Sequence, residues 1–81
     1  MERKIVMITG SGMGIGLACA EAFAHEGATV IMSDIQKPDE QARKLVDAGY
    51  DAVAYQCDVS DVQAVKEMID WIVSTYGRLD A

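Results

Sequence analysis

The stretch that decides the fold is Lys4-Ile5-Val6-Met7-Ile8-Thr9-Gly10-Ser11-Gly12-Met13-Gly14-Ile15-Gly16. A short apolar run rich in β-branched residues ends in alternating glycines, and an alanine-rich helical pattern follows at once. This order of strand, glycine turn and helix is typical of a site for a nucleotide pyrophosphate. Glycines let the backbone approach the ligand closely, and the start of the helix presents free N–H groups to it. We therefore expect a phosphate-binding turn at this point of the chain.

The spacing of the glycines admits more than one interpretation. The strict pattern G-x-G-x-x-G is absent, but T-G-x-x-x-G-x-G fits Thr9, Gly10, Gly14 and Gly16. The pattern G-x-G-x-G of S-adenosylmethionine-dependent methyltransferases also fits, at Gly10, Gly12 and Gly14. That methyltransferase loop usually follows an acidic residue, whereas Ile8-Thr9 stands here. A glycine-rich turn without any ligand is the third interpretation.

Length and composition limit the function classes. The chain has 81 residues, 51% of them hydrophobic, which predicts one small domain with a thin margin of stability. The net charge of −6 argues against nucleic acid or an anionic membrane as a partner. No apolar run approaches the roughly 20 residues of a membrane span, and the Met1-Glu2-Arg3-Lys4 start lacks the features of a signal peptide. We therefore expect a cytoplasmic protein.

The two cysteines, Cys19 and Cys57, have no spacing typical of a metal site or a redox pair. We expect both to be buried thiols in a reducing cytosol, and we expect no metal site.

Hydrophobic periodicity predicts a β-α-β-α-β-α chain. The first strand covers 3–8, the turn 9–13, and the first helix Gly14 to Glu26, whose sheet-facing residues are Ile15, Ala18, Cys19, Ala22 and Phe23. The second strand runs from Ala28 to Ser33, and the second helix from near Pro38 to Gly49. The third strand covers Asp51 to Cys57.

The last helix is expected to begin at a capping box of Ser60 and Gln63 and to end near Tyr76. Its expected apolar face comprises Val62, Val65, Ile69, Ile72, Val73 and Tyr76, on the opposite side of the sheet from the other helices. Right-handed crossovers then give a parallel sheet of strand order 3-2-1. This is the α/β, Rossmann-type half of a doubly wound fold, and Arg78–Ala81 would begin its fourth strand.

Asp34 ends the second strand, 18 positions beyond Gly16. In a βαβ unit this spacing places a carboxylate beside the glycine turn, within reach of an adenosine ribose. The carboxylate accepts hydrogen bonds from the ribose hydroxyls and repels a 2′-phosphate, so NAD is preferred over NADP. Lys37 softens that repulsion, and the neighbouring Ile35 is included in the expected site.

Together these residues resemble the N-terminal portion of a short-chain dehydrogenase/reductase, along the whole chain. The resemblance is carried by Thr9-Gly10, Gly14-Ile15-Gly16, Phe23-Ala24, Glu26-Gly27-Ala28, Asp34, Cys57-Asp58-Val59-Ser60 and Tyr76-Gly77-Arg78-Leu79-Asp80. It implies that Asp58 meets the adenine amine and that the Val59 backbone lines the base pocket. It also implies a structural role for Thr9 and a phosphate-directed N–H at Ile15. The expected cofactor residues are Thr9, Gly10, Ser11, Gly12, Met13, Gly14, Ile15, Gly16, Asp34, Ile35, Cys57, Asp58 and Val59.

The chain departs from that family's pattern where catalysis is concerned. The Asn-Asn-Ala-Gly segment, the catalytic serine and the Tyr-x-x-x-Lys pair are all absent from the sequence. The tyrosines are followed four residues later by Ala54, Val59 and Asp80, never by lysine. We therefore expect 1–81 to be a single partial NAD(P)-binding domain, truncated before the fourth strand, without catalytic residues and inactive alone.

Two further expectations concern partners. A first strand without a neighbour on its outer side presents a hydrophobic edge, which tends to recruit another chain. We therefore expect self-association through that edge if the natural chain has only these 81 residues. The alternative to part of an oxidoreductase is a non-catalytic module for nucleotide binding or assembly. The substrate cannot be predicted, because the residues that would form its pocket are absent from the chain.

Overall fold

The predicted alternation of strands and helices is confirmed. The computed structural model describes residues 3–81. The predicted absence of a signal peptide rests partly on Met1 and Glu2, which lie outside the described residues. The elements are β1 (Ile5–Thr9), α1 (Gly14–His25), β2 (Thr29–Asp34), α2 (Asp39–Asp47), β3 (Asp51–Gln56) and α3 (Val62–Tyr76). The three strands form a parallel sheet in the order β1-β2-β3, which is the predicted 3-2-1 order counted from the other side.

The central strand β2 is covered on both faces. Its residues Val30, Ile31 and Met32 are fully buried, as expected for a continuous apolar run inside a parallel sheet. On one face β2 packs in a cluster with residues of α1 and α2, and on the other with residues of α3. The prediction that the last helix covers the opposite face from the first two is therefore confirmed.

The predicted sheet-facing side of α1 is wrong. Ile15 is 84% exposed and Phe23 is 43% exposed, whereas Ala20 and Ala24 are buried. Ala18, Cys19 and Ala22 are exposed as well. Because α1 is apolar around most of its circumference, periodicity alone could not select the buried side. Close packing decides it, because Gly16, which has no room for a Cβ against the Gly10 backbone, shares one face of the helix with the buried Ala20 and Ala24.

The two cysteines differ in exposure. Cys57 is buried as predicted, in the cluster beneath α3, but Cys19 is exposed, which contradicts the prediction. Cys19 lies on the outward side of α1, so its exposure has the same cause as the error in the helix orientation. Both thiols are free.

The start and the inner face of α3 also differ from the prediction. The cap is Asp61, whose Oδ1 accepts a hydrogen bond of 3.2 Å from the Ala64 N–H, so the predicted capping box of Ser60 and Gln63 is wrong. The helix therefore begins one residue later than that box requires. Its buried residues are Met68 and Ile72, while Val62 is 81% exposed and Val73 is also exposed.

The end of the chain runs beside β1. The Asp80 N–H donates to Ile5 O at 2.9 Å, and the Met7 N–H donates to Ala81 O at 2.7 Å. These bonds pair the first half of β1, so the expectation of an unpaired outer edge is wrong for that half. They also support the fourth strand predicted to begin in this segment. Self-association through the remaining half of the edge stays a prediction.

A side-chain contact secures this pairing. Asp80 Oδ2 accepts from the Ile5 N–H at 2.8 Å, and Asp80 Oδ1 accepts from Arg78 Nη2 at 2.6 Å. The hydrogen bonds from Arg78 and then from Ile5 hold the pKa of the Asp80 carboxyl below its usual value. The carboxylate is therefore ionised at neutral pH and fastens the end of the chain to the start of β1.

Candidate nucleotide-binding site

The glycine turn between β1 and α1 has a conformation that requires glycine. Gly10 and Gly14 have φ angles of 62° and 60°, in the left-handed region that residues with a Cβ adopt at a cost of roughly 1–2 kcal/mol. Gly16 is required for a different reason, because a Cβ there would overlap the Gly10 carbonyl group, with its carbon only 2.7 Å away. The three glycines of the T-G-x-x-x-G-x-G pattern thus set the shape of the turn and the close packing of α1 on it.

Gly12, which the pattern leaves unspecified, packs against Asp34. The Gly12 N–H donates to Asp34 Oδ2 at 3.0 Å, and a Cβ at Gly12 would lie 2.8 Å from the same oxygen. The predicted position of Asp34 beside the glycine turn is therefore confirmed.

Ser11 anchors the turn to β2 rather than facing a ligand. Its side chain is fully buried, and both its N–H and its hydroxyl donate to Ser33 O, at 3.0 and 3.1 Å. A carbonyl oxygen has two lone pairs, so it can accept both bonds. Ser11 is a predicted site residue, but its hydroxyl already donates to Ser33 O and is buried away from a ligand.

The Asp34 carboxylate is oriented by two backbone groups. Besides the Gly12 N–H at Oδ2, the Ile35 N–H donates to Oδ1 at 2.7 Å. Each carboxylate oxygen can accept more than one hydrogen bond, so acceptor capacity remains for a ligand hydroxyl. Asp34 is only partly buried, so this capacity is accessible from the solvent side.

A cleft of about 520 Å³ opens beside this carboxylate. It is lined by Gly12, Met13 and the segment 34–41, which joins β2 to α2. Four predicted residues, Gly12, Met13, Asp34 and Ile35, therefore meet at one cavity. Gln41 also lines it and was not predicted, since a single glutamine in the first turn of a helix carries no recognisable sequence signal.

The start of α1 leaves its N–H groups accessible. Within the described residues, the cap residue Met13 makes no side-chain capping hydrogen bond, and the first turn of α1 holds no acidic residue. Met13 is 76% exposed, and the side chain of Ile15 likewise points to solvent. A helix start with free N–H groups and the positive end of the helix dipole favours an anion.

The third group of predicted residues, Cys57 to Val59, follows β3. The Cys57 N–H donates to Asp34 O at 3.0 Å, so this segment leaves the sheet directly beside Asp34. The buried Cys57 thiol faces the core, and only the backbone of this residue is at the edge. Asp58 and Val59 are exposed and lie outside the lining of the cleft.

Asp58 is held in an ionised, oriented state. Its Oδ1 accepts from the Ser60 hydroxyl at 2.7 Å and from the Ser60 N–H at 2.9 Å. These two bonds, the hydroxyl first, hold the pKa of the Asp58 carboxyl below its usual value. Asp58 therefore presents an acceptor to solvent at neutral pH, at the same carboxyl-terminal edge of the sheet as the glycine turn.

Two absences concern the rest of the described chain. Residues 3–81 hold no group of three or more histidine, cysteine, aspartate or glutamate side chains placed to bind a metal ion. None of the helices in this range has the length and apolar character needed to cross a membrane.

Comparison with known proteins identifies the family. The model of the family described as short chain dehydrogenase matches residues 4–81. The chain is 43% identical to elsinochrome reductase 1 of Elsinoe fawcettii and covers 31% of that protein. It is 42% identical to secoisolariciresinol dehydrogenase of Forsythia intermedia and covers 29% of it. In both comparisons 99% of this chain is matched.

A solved structure gives the same result for the fold. The crystal structure of a hydroxysteroid dehydrogenase from Escherichia coli superposes with a TM-score of 0.91 and 34% identity, over 95% of this chain and 34% of that one. The chain thus spans about a third of the length of these relatives. The family whose model matches uses nicotinamide cofactors. The methyltransferase interpretation of the glycines is thereby set aside. The chain belongs to the short-chain dehydrogenase family.

Proposed function

We propose that this chain forms the NAD-binding part of an oxidoreductase that acts on an alcohol or a carbonyl group. The observation that carries the proposal is the Asp34 carboxylate, held by the Gly12 and Ile35 N–H groups at the mouth of the 520 Å³ cleft. A carboxylate fixed there accepts hydrogen bonds from the hydroxyls of an adenosine ribose. Its charge also repels the 2′-phosphate of NADP.

The remaining parts of the cofactor have complementary groups nearby. The pyrophosphate lies against the backbone of 10–16 at the start of α1, where the left-handed Gly10 and Gly14 have no Cβ to obstruct its approach. The adenine ring lies towards Asp58 and Val59, with the Asp58 carboxylate accepting from the exocyclic amine. The contribution of this chain is therefore to bind and orient the adenosine diphosphate half of the cofactor, while the nicotinamide supplies hydride transfer.

Catalysis is not assigned to this chain alone. Its sequence has no Tyr-x-x-x-Lys pair and no counterpart of the Asn-Asn-Ala-Gly segment. Hydride transfer needs a surface that holds the nicotinamide and the substrate together, and 1–81 offers no residues for it. We therefore propose that 1–81, tested by itself, binds the cofactor and turns over no substrate. We also propose a reducing, cytoplasmic compartment, since both thiols are free.

The test is a calorimetric titration of the chain with NAD, NADP and S-adenosylmethionine. We expect NAD to bind at least about tenfold more tightly than NADP, equivalent to about 1.4 kcal/mol, because the 2′-phosphate would face Asp34. S-Adenosylmethionine should compete weakly or not at all with NAD. Equal affinity for NAD and NADP would contradict the role of Asp34, and preferential binding of S-adenosylmethionine would contradict the cofactor class.

A further inference from the structure

The feature that the family pattern leaves without a role is Gln41, in the first turn of α2. Its Nε2 donates to the Gly12 carbonyl oxygen at 2.9 Å, across the cleft that both residues line. A carbonyl oxygen only accepts, so the amide nitrogen is the atom that must face it. Gln41 is partly buried, and its contact spans 29 positions of sequence.

Gly12 is therefore held on both sides. Its N–H is bound by Asp34 Oδ2, which orients the peptide plane between Ser11 and Gly12. Its carbonyl is bound by Gln41, which orients the next plane, between Gly12 and Met13. A glycine has more backbone freedom than any other residue, so two side-chain contacts on one glycine remove freedom that the turn would otherwise keep.

The second contact has a consequence for Met13. The described chain has no cis peptide bond, so the Met13 N–H and the Gly12 carbonyl point in opposite directions from the same plane. Gln41 binds the carbonyl and thereby directs the Met13 N–H away from α2. Met13 is the cap residue of α1, and its N–H adjoins the free N–H groups of the first turn of that helix.

We propose that Gln41 is a positioning residue for the pyrophosphate of the cofactor. It acts through the Gly12–Met13 peptide, which it orients so that the Met13 N–H faces the phosphates together with the free N–H groups of the first turn of α1. Asp34 and Gln41 then form a pair, one binding the N–H and the other the carbonyl of the same glycine. This inference rests on the proposed function, and it adds a residue that acts on the pyrophosphate rather than on the ribose.

The test compares Gln41→Met and Gln41→Glu with the unaltered chain. Methionine keeps the length of the side chain but cannot donate, and glutamate places a carboxylate opposite the Gly12 carbonyl. Gln63, exposed on α3 and paired with Glu67, provides the matched controls Gln63→Met and Gln63→Glu. The ligands are NAD and ADP-ribose, which contain the pyrophosphate, and adenosine, which does not.

We expect Gln41→Met to lower the affinity for NAD and for ADP-ribose by about three- to tenfold, which corresponds to the loss of one net hydrogen bond. Gln41→Glu should weaken both further, because its charge also faces the phosphates. Adenosine, followed by NMR at millimolar concentration, should bind Gln41→Met within about twofold of the unaltered chain, since adenosine has no phosphate for the N–H groups at the start of α1 to bind. Both Gln63 variants should bind all three ligands like the unaltered chain.

Each contrary result has a distinct meaning. Unchanged affinity of Gln41→Met for ADP-ribose would overturn the inference and leave the proposed function intact. An equal loss for adenosine and ADP-ribose would also overturn it, because it would show that Gln41 supports the whole cleft rather than the pyrophosphate. If the unaltered chain bound neither NAD nor ADP-ribose, the proposed function itself would be contradicted, and the inference with it.

Discussion

Replacement of Gly16 with alanine is expected to prevent stable folding of the chain. The added Cβ would overlap the Gly10 carbonyl group, which is backbone and cannot rotate away as a side chain would. α1 would have to separate from the end of β1, where the buried Ala20 and Ala24 keep it close. Overpacking of this kind costs about 1–3 kcal/mol or more, and a chain of this size has little stability to lose.

The measurement is urea unfolding followed by circular dichroism, with Gly14→Ala as the matched variant. Gly14 is two residues away, has a φ of 60° and has nothing within 4 Å of its Cβ position, so its substitution adds only conformational strain. That strain is worth about 1–2 kcal/mol, which makes Gly14→Ala the milder of the two. A Gly16→Ala chain as stable as the unaltered protein, or more stable than Gly14→Ala, would contradict the close packing of α1 on the turn.

Replacement of Asp34 with alanine is expected to have the largest effect on cofactor binding. It removes the acceptor for the ribose hydroxyls and also the partner of the Gly12 N–H. Hydrogen bonds to a charged group are worth about 1.5–3 kcal/mol, so NAD should bind roughly 10- to 150-fold more weakly. The affinity for NADP should fall much less, because the substitution also removes the repulsion between the Asp34 carboxylate and the 2′-phosphate. The ratio of NAD to NADP affinity should therefore fall.

Glu40→Ala is the control for this measurement, because Glu40 is an exposed carboxylate that lines the same cleft. Its removal changes the net charge by the same amount, without touching the Gly12 N–H. Calorimetric titrations of both variants with NAD and NADP separate the two effects. An equal change in the NAD to NADP ratio for both variants would show that general charge, and not the position of Asp34, sets the preference.

Much of the fold follows from local pattern. The β-branched runs, the glycine after each helix and the strand–turn–helix order predict three parallel strands and the face that α3 covers. The position of Asp34 follows too, because its spacing from the glycines fixes which end of β2 it occupies. These features depend on the order of the elements along the chain and on local hydrophobic periodicity, and both can be read directly from a sequence.

The errors have a common physical origin in individual contacts that hydrophobic periodicity does not show. The orientation of α1 depends on how closely Gly16 can approach the Gly10 carbonyl, and hydrophobic periodicity does not measure that distance. The role of Gln41 depends on a hydrogen bond across the cleft to Gly12, and a lone glutamine predicts nothing of the kind. At α3, Asp61 and Ser60 are both good capping residues, and the hydrogen bonds of Ser60 to Asp58 leave the cap to Asp61.

The most direct test of the account is a titration of the ¹⁵N-labelled chain with NAD, followed by two-dimensional NMR. We expect the amide signals of 10–16, of Ile35 and of the segment 57–59 to shift together with a single affinity. The amides at the opposite end of the sheet, near Gly27 and Gly49, should not move. Shifts confined to another surface, or no shift at all at saturating NAD, would contradict the proposal that this chain binds the cofactor at the glycine turn.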